Sequence, residues 1–457
     1  MRLAGERGRR VTRVVALIDG EHYPPVVRFA LASLAGEHEV AAAAFLGGTE
    51  KVDSEAGLET YGVPIVMAAT PDEALAEAIE RYEPCAVIDL SDEPVVSAAD
   101  RFRLAGIALA HGVEYRGADF IFKPPRARLT THTPTLGIVG TGKRVGKTAL
   151  AGYVARSLKE ANRDICVLAM GRGGPSEPEL IRGEQVSLTT PDLLALARQG
   201  IHASSDNYED AVMSRVTTVG CRRCGGGMAG ETFFSNVPEG ARLADSLGKE
   251  LIVLEGSGAA IPPVHADANI LVVGAGRGLE YVRDYFGPFR LGRADLVIIA
   301  SAEEPIASPT VIAEMRDEIA RIAPETPCVA TTFRPAPIEP VAGKRVFFAT
   351  TAPAHVLGKL TEHLEQEYGC TVVGASAQLS NRALLRRDMQ AAAGRYDLLL
   401  TELKAAAIDV VAAAGQDAGV PTILCDNVPV PHDGEDLQGL IADVAALALE
   451  RGLARGV

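Results

Sequence analysis

The sequence predicts an α/β protein with mostly parallel sheets, divided into two domains, and three observations carry that expectation. Short apolar runs alternate with helix-like stretches along the whole chain, the order from which parallel sheets with covering helices are built. The runs are near-continuous in apolar residues rather than alternating with polar ones, as strands buried on both faces require. A chain of 457 residues is too long for one ordinary core. A rigid, turn-rich connector, Lys123-Pro124-Pro125 with Thr131-His132-Thr133-Pro134, interrupts the alternation.

In the first region, Val14 to Ile18 reads as a strand ending at Asp19-Gly20, and Pro24-Pro25 opens a helix through Val27, Ala30, Leu31 and Leu34. Val40 to Leu46 reads as a second strand, before Gly47-Gly48. A helix over Pro71–Arg81, a strand over Cys85–Leu90 and a helix over Arg101–His111 complete a domain assigned to residues 1–128. The second domain, residues 129–457, is read from strands at Leu136–Val139, Ile165–Ala169, Leu251–Leu254, Ile270–Val273 and Leu296–Ile299. Further strands follow at Val346–Ala349, Thr371–Val373, Leu398–Leu400 and Thr422–Leu424. Helices over Ala354–Gln366, Asn381–Ala393, Ala405–Ala414 and Asp436–Arg451 separate them. No long polar linker precedes the last hundred residues, so they are expected to continue the central sheet.

Composition removes several function classes. A formal charge of −14 argues against nonspecific contact with a phosphate backbone, so no nucleic-acid partner is expected. The basic start MRLAGERGRR has no apolar stretch behind it long enough for a signal or a span, because Asp19, Glu21 and His22 end the run begun at Val11. No membrane partner is expected, and the cytoplasm is the expected location. Seven cysteines without regular spacing do not suggest a disulfide framework. A homodimer is the expected assembly, as the commonest one for a soluble enzyme.

The stretch with the clearest chemistry is GTGKRVGKTAL, residues 140–150, lying between an apolar strand and a helix. The ordinary phosphate-loop spacing requires a glycine where Thr141 stands, and Gly140 comes one residue earlier. The physical logic is unchanged: glycines let backbone amides turn inward, and the helix offers its positive N-terminal end to phosphate. The expected nucleotide contacts are Gly140, Thr141, Gly142, Val145, Gly146, Lys147, Thr148 and Ala149. Lys147 would reach the terminal phosphates and the Thr148 hydroxyl would ligate magnesium. Lys143 and Arg144 either neutralise phosphate or face solvent. Glu255, at the end of Leu251–Leu254, is placed to hold Mg²⁺ directly or through water; the alternative is an exposed acid in a turn.

Other strand ends supply further candidates. Arg172, in Gly171-Arg172-Gly173-Gly174-Pro175, could fork onto a phosphate or carboxylate, or simply occupy a turn. Asp19, Glu21 and His22 could bind an acceptor, position a cation or hold an interface. Lys404 could neutralise a substrate phosphate or pair with Glu402. The segment from Ser204 to Asp210 either approaches the substrate or starts a helix, with no catalytic chemistry assigned. Cys221-Arg222-Arg223-Cys224 has a CxxC spacing, but no second ligand pair accompanies it and no structural metal is expected there; the alternatives are a disulfide or redox pair, or two buried structural cysteines with Arg222 or Arg223 facing phosphate.

GTGKRVGKT resembles the longer phosphate loop of dethiobiotin synthetase, and VLEGSG resembles that family's acidic strand end. With ALIDGEHYPPVV ahead of them and TELKAAAIDVV and ILCDNVPV behind, the order of segments over nearly the full chain resembles the cyclic 2,3-diphosphoglycerate synthetase family. The resemblance implies a P-loop NTPase-like core with an additional N-terminal α/β domain. It implies ATP and Mg²⁺ as cofactors, and 2,3-diphosphoglycerate as the substrate closed into a cyclic pyrophosphate with release of ADP and phosphate. It also implies that Lys147, Lys143, Arg144 and Arg172 serve phosphoryl transfer, and that Asn427 bonds adenine. Two alternatives share the same core: an ATP-dependent carboxylate-activating or amide-forming synthetase, and a nucleotide-controlled regulatory ATPase.

Overall fold

The computed structural model describes residues 12–48, 61–432 and 434–455. The chain forms two compact units: one of residues up to Pro124 together with Arg283–Arg293, the other of Pro125–Val282 and Ala294–Val457. The chain therefore leaves the second unit after Val282 and re-enters it at Ala294, a return absent from the sequence reading of two consecutive blocks.

In the first unit, strands β1 (Thr12–Ile18), β2 (His38–Phe45), β3 (Ile65–Val66), β4 (Ala86–Asp89), β5 (Glu114–Arg116) and β6 (Ile121–Phe122) form one sheet in the order β3-β2-β1-β4-β5-β6. All pairings are parallel except β5 with β6. Val14 to Leu17 are fully buried, as a central parallel strand requires. The flanking helices start on capping boxes at Thr70 and Ser97, which satisfy their first amides locally. The helix Ala98–Ala110 carries Phe102, which meets Phe286 edge-on at 5.5 Å, while Phe122 meets Phe286 at 5.1 Å. The returning segment thus fills an aromatic cluster of the first unit.

The second unit contains β7 (Thr135–Gly140), β8 (Ile165–Gly171), β9 (Glu179–Arg182), β10 (Thr217–Gly226), β11 (Thr232–Ser235), β12 (Leu251–Glu255) and β13 (Ala268–Gly274). It continues with β14 (Leu296–Ala300), β15 (Cys328–Pro337), β16 (Arg345–Ala349), β17 (Thr371–Ser376), β18 (Leu398–Thr401) and β19 (Thr422–Pro431). Among the described residues these make one sheet of 13 strands, ordered β11-β10-β8-β12-β7-β13-β14-β15-β19-β18-β16-β17, with β9 on β10. From β10 to β15 the pairing is parallel; it turns antiparallel between β15 and β19, and is parallel again to β17. The last hundred residues accordingly extend the central sheet, as expected from the missing linker.

Every residue of β7 is buried. Leu136 and Ile138 pack with Leu150 and Val154 from the following helix, and with Ile441 and Val444 from the helix Leu437–Arg455. One expected element differs. The stretch 405–414 is not a uniform α-helix: Ala405 takes a left-handed φ of 47°, Ala407–Ala412 is π-helical, and α-helix follows only over Ala413–Ala418. A row of alanines gives no sequence signal for such a widened turn.

Candidate functional site

After Gly140 the chain turns through residues 141–146 into the helix Lys147–Glu160. Arg144 and Gly146 both lie in the left-handed region, at φ 62° and 82°. Glycine is needed at 146 for a second reason: a Cβ there would sit 2.3 Å from the ring of Phe333. The turn is closed by Val145, which is buried against Gly140 and Gly274, and Thr141 is pinned by its N–H donating to the Val272 carbonyl at 3.0 Å. The helix begins on Gly146 without a side-chain cap. Its first amides are thus left for an anion, where capped helices such as that at Thr189 satisfy theirs internally.

Lys147 is buried in the first turn of this helix and its Nζ donates to Glu255 Oε1 at 2.6 Å. Glu255 is the last residue of β12, whose neighbours in the sheet are β7 and β8, and it is fully buried. With both carboxyl groups ionised, its Oε2 has no hydrogen-bond partner, and neither has Oδ2 of the buried Asp210. Asp210 comes from the helix Asp206–Ser214, which also aims Asp206 and Glu209 at the same place. Lys404 Nζ closes the cluster with an ion pair to Glu209 at 3.0 Å.

Four carboxyl groups therefore crowd together with two ammonium groups, with Lys147, Asp210 and Glu255 buried and Asp206, Glu209 and Lys404 half-buried. Burial pushes Asp210 well above the ordinary carboxylate range, and the negative charges of Glu255 and Glu209 push the same way, as does a hydrogen bond that a protonated Asp210 makes with Glu255. Burial also raises Asp206; Glu255 adds to the rise while Lys147, Lys404 and Arg172 oppose it. For Lys404 burial alone would favour the neutral amine, but Glu209, Glu402 and Asp206 outweigh it and hold the ammonium charged. Crowded carboxyl groups, two of them close enough to share a proton, suit a hard divalent cation that takes the place of that proton. Among the described residues no three His, Cys, Asp or Glu side chains form a self-sufficient metal centre. The residues fit an ion that takes one or two carboxylates and completes its shell with the Thr148 hydroxyl, phosphate and water, as magnesium does.

The remaining expected residues fall as follows. Lys143 is exposed at the tip of the turn, and Arg144 reaches Ser380 Oγ at 3.5 Å. Ala149 is buried in the helix. Arg172 follows β8 directly and is exposed. Asn427 lies on β19 opposite Pro335, and two residues on, Pro429 faces Phe333, the residue whose ring covers Gly146. The adjacent Asp426 is ion-paired at 2.5 Å with Arg156 of the phosphate-loop helix, which ties this strand to the loop.

Asp19, Glu21 and His22 lie in the first unit, after β1. Asp19 is fully buried and accepts from Glu21 N–H at 2.9 Å, His22 N–H at 3.1 Å, His22 Nδ1 at 2.9 Å and Asp92 N–H at 2.7 Å. Its carboxylate is thus committed to shaping the loop. Cys221 is buried and Cys224 exposed, three positions apart on β10, so the thiols point to opposite faces of an extended strand.

The acids of the helix Asp206–Ser214 are what the sequence reading missed. Their spacing at i, i+3 and i+4 puts them on one helical face, and that is the only signal the sequence holds for them.

A glycine turn after a central parallel strand, an uncapped helix carrying a buried lysine, and an acid at the neighbouring strand end define a P-loop nucleotide-binding protein. Family patterns narrow this further: the N-terminal domain of cyclic 2,3-diphosphoglycerate synthetase matches residues 13–123, its P-loop domain residues 135–332 and its C-terminal domain residues 337–428. The protein of that name from Methanothermus fervidus is 45% identical over 449 residues, 96% of this chain and 98% of its own length. The one from Rubrobacter xylanophilus is 48% identical over 446 residues, 97% and 98% of the two chains. The one from Methanothermobacter thermautotrophicus is 46% identical over 450 residues, 96% and 97%. The chain belongs to the cyclic 2,3-diphosphoglycerate synthetase family.

Proposed function

We propose that this protein uses ATP to close 2,3-diphosphoglycerate into its cyclic pyrophosphate, releasing ADP and phosphate. The observation that carries the reading is its likeness, over almost the entire length of both chains, to proteins named for that synthesis. The site chemistry agrees with it. An oxygen of one acceptor phosphate attacks the γ-phosphorus as the bond to the β-phosphate oxygen breaks, and ADP leaves. An oxygen of the neighbouring phosphate then attacks the activated phosphorus, the ring P–O–P bond forms, and inorganic phosphate departs.

Each residue has a defined task. The turn from Gly140 to Gly146 and the amides of Lys147, Thr148 and Ala149 cradle the triphosphate. Lys147, released from Glu255, follows the charge that develops on the β- and γ-phosphates. Thr148 and Glu255, with Asp210 once it has lost its proton, would hold magnesium, which when bound would offset the repulsion between two polyanions. Lys143, Arg144 and Arg172 add positive charge on the open side of the turn, and Lys404 on the side of the acids. Asn427 offers an amide to the adenine edge. No general base is required, since phosphate oxygens are anionic near neutral pH. Both substrates are soluble anions, and the reaction is assigned to the cytoplasm.

Phosphorus NMR of the purified protein with Mg-ATP and 2,3-diphosphoglycerate tests this directly. A cyclic pyrophosphate signal growing in step with ADP is the expected result. ADP accumulating without a new phosphorus species would replace the reading with that of a regulatory ATPase.

A further inference from the structure

Four adjacent strands, β10, β8, β12 and β7, bring their carboxyl ends to one edge of the sheet. From β7 comes the phosphate loop, from β12 Glu255, from β8 Arg172 and from β10 Arg223. The register ends by pairing Arg222 with Gly171, and Arg223 and Arg172 are the next residues along the two stretches of chain. Neighbouring strands are about 5 Å apart. The two residues therefore sit on neighbouring stretches of chain, roughly two to three strand spacings from the loop, close enough for the charge of Arg172 to act on Arg223.

Arg223 is held in place rather than free. Its Nη2 donates to the Ser257 carbonyl at 2.8 Å and lies 3.3 Å from Ser257 Oγ, and its Nη1 donates to the Gly225 carbonyl at 3.3 Å. The Ser257-Gly258 turn it grips is the one that abuts Gly140: a Cβ on Gly140 would lie 3.1 Å from the Gly258 carbonyl. Yet Arg223 Nε is buried without any hydrogen-bond partner, an unpaired donor on a charged group. Burial, and after it the like charge of Arg172, disfavour the Arg223 cation, while Cys224 and Asp206 act the other way. Asp206 itself belongs to the cation cluster around Glu255.

We propose that Arg223, with Arg172, forms the acceptor's anion site: a fork for a phosphomonoester dianion, distinct from the loop that holds the nucleotide phosphates, with Arg223 setting specificity for the acceptor. The bidentate geometry of guanidinium suits the oxygens of a phosphate better than a point charge would. The bond to Ser257 couples an occupied anion site to the turn that carries Glu255 and braces Gly140, so the acceptor end and the nucleotide end share one support. This inference rests on the ring-closing reading for the identity of the acceptor, though not for the class of anion.

The test compares wild type with Arg223→Met and Arg223→Lys. Met keeps the stem's packing and removes the fork; Lys keeps the charge. Loss of charge-assisted bonds to the acceptor predicts a KM for 2,3-diphosphoglycerate raised roughly 10- to 100-fold in Arg223→Met. The KM for ATP should stay within about twofold, and Arg223→Lys should recover part of the loss. An unchanged acceptor KM overturns the proposal, as does an equal rise for ATP, which would make Arg223 only a brace for the Ser257 turn. Calorimetric titration of 2,3-diphosphoglycerate into the Mg-ADP-loaded proteins separates this from failure of the ring-closing reading. If wild type binds the probe and Arg223→Met does not, the anion site stands even where wild type makes no cyclic product. Equal binding by both, or no binding to wild type, refutes it.

Discussion

Lys147 and Glu255, to which we assign the phosphate and cation roles, form a buried ion pair at the phosphate loop. Each is buried, each serves the other as counter-charge at 2.6 Å, and the carboxyl group of Asp210 crowds against Glu255. Removing the lysine strands an acid in a cluster already too negative. Lys147→Ala should therefore lower the denaturation midpoint by an amount equivalent to about 1–3 kcal/mol, the cost of one unsatisfied buried polar group. It should also cut turnover roughly 100- to 1,000-fold. Adding Glu255→Gln to Lys147→Ala should restore the midpoint and leave turnover lost; a double variant as unstable as Lys147→Ala would show that the pair does not couple. Glu255→Gln alone should raise the Mg²⁺ concentration at half-maximal activity by roughly tenfold, since one charged ligand is gone, and wild-type magnesium dependence would remove Glu255 from the cation's shell. Of this candidate site the position of the loop between strand and helix and of Glu255 at a strand end was legible, because these residues stand in contiguous motifs next to apolar strands. Asp206, Glu209 and Asp210 were not: they approach Glu255 from a separate helix, and a polar helix start looks the same whether its acids face water or a cation.

At the level of elements, burial decided what could be read. β7, β8, β12, β13 and β14 lie inside the sheet, so their apolar runs announced them. β10 and β15 share that sheet but carry CRRCGG and FRPAP at their ends, where glycine, proline and arginine mask a strand that leads into the site. β15 is anchored by its arginine. Arg334 forks onto Glu303, at 2.5 Å to Oε1 and 2.9 Å to Oε2, with the Thr332 hydroxyl and Lys359 from the helix Leu357–Tyr368 on the same carboxylate. Burial alone would raise Glu303, but Arg334, Thr332 and Lys359 overcome it and bring it down from 4.5 to about 2. The folded state thus binds this proton more weakly than the unfolded chain. The stabilisation is complete above the ordinary value of 4.5 and is lost as pH falls through about 2. Wild type should exceed Glu303→Gln by on the order of 1–2 kcal/mol at neutral pH in urea unfolding, less than the full shift implies because the site is partly hydrated. The gap should shrink on acidification below 4.5 and close near 2. A gap constant across that window would mean that Glu303 titrates as in the unfolded chain.

For the molecule as a whole, the alternation of apolar runs and helices disclosed two α/β regions, and the lack of a polar linker disclosed that the sheet runs on to β17. What stayed hidden was the ownership of Arg283–Arg293, assigned by packing to the first unit although second-unit sequence flanks it. Phe286 and Phe289 are as apolar as any core residue there; only the position of Phe102 and Phe122, far earlier in the chain, reveals where they belong. That return has a physical consequence for cutting the chain. Phe286 is 1% exposed and Phe289 3%, and fully exposing a phenylalanine costs about 1.5–3 kcal/mol. A protein of residues 125–457 alone would keep the whole large sheet, yet it would present both rings to water on a short helix that has lost its partners. It should therefore melt lower than the full chain, bind an apolar dye and elute partly as aggregate. Replacing Phe286 and Phe289 by serine should largely cure the shortened protein, because their apolar surface is then the liability, while the same pair of changes in the full chain should destabilise it by emptying the aromatic cluster. If the shortened protein is monodisperse and as stable as the full chain without those changes, the returning segment is not a fixed part of the first unit's core.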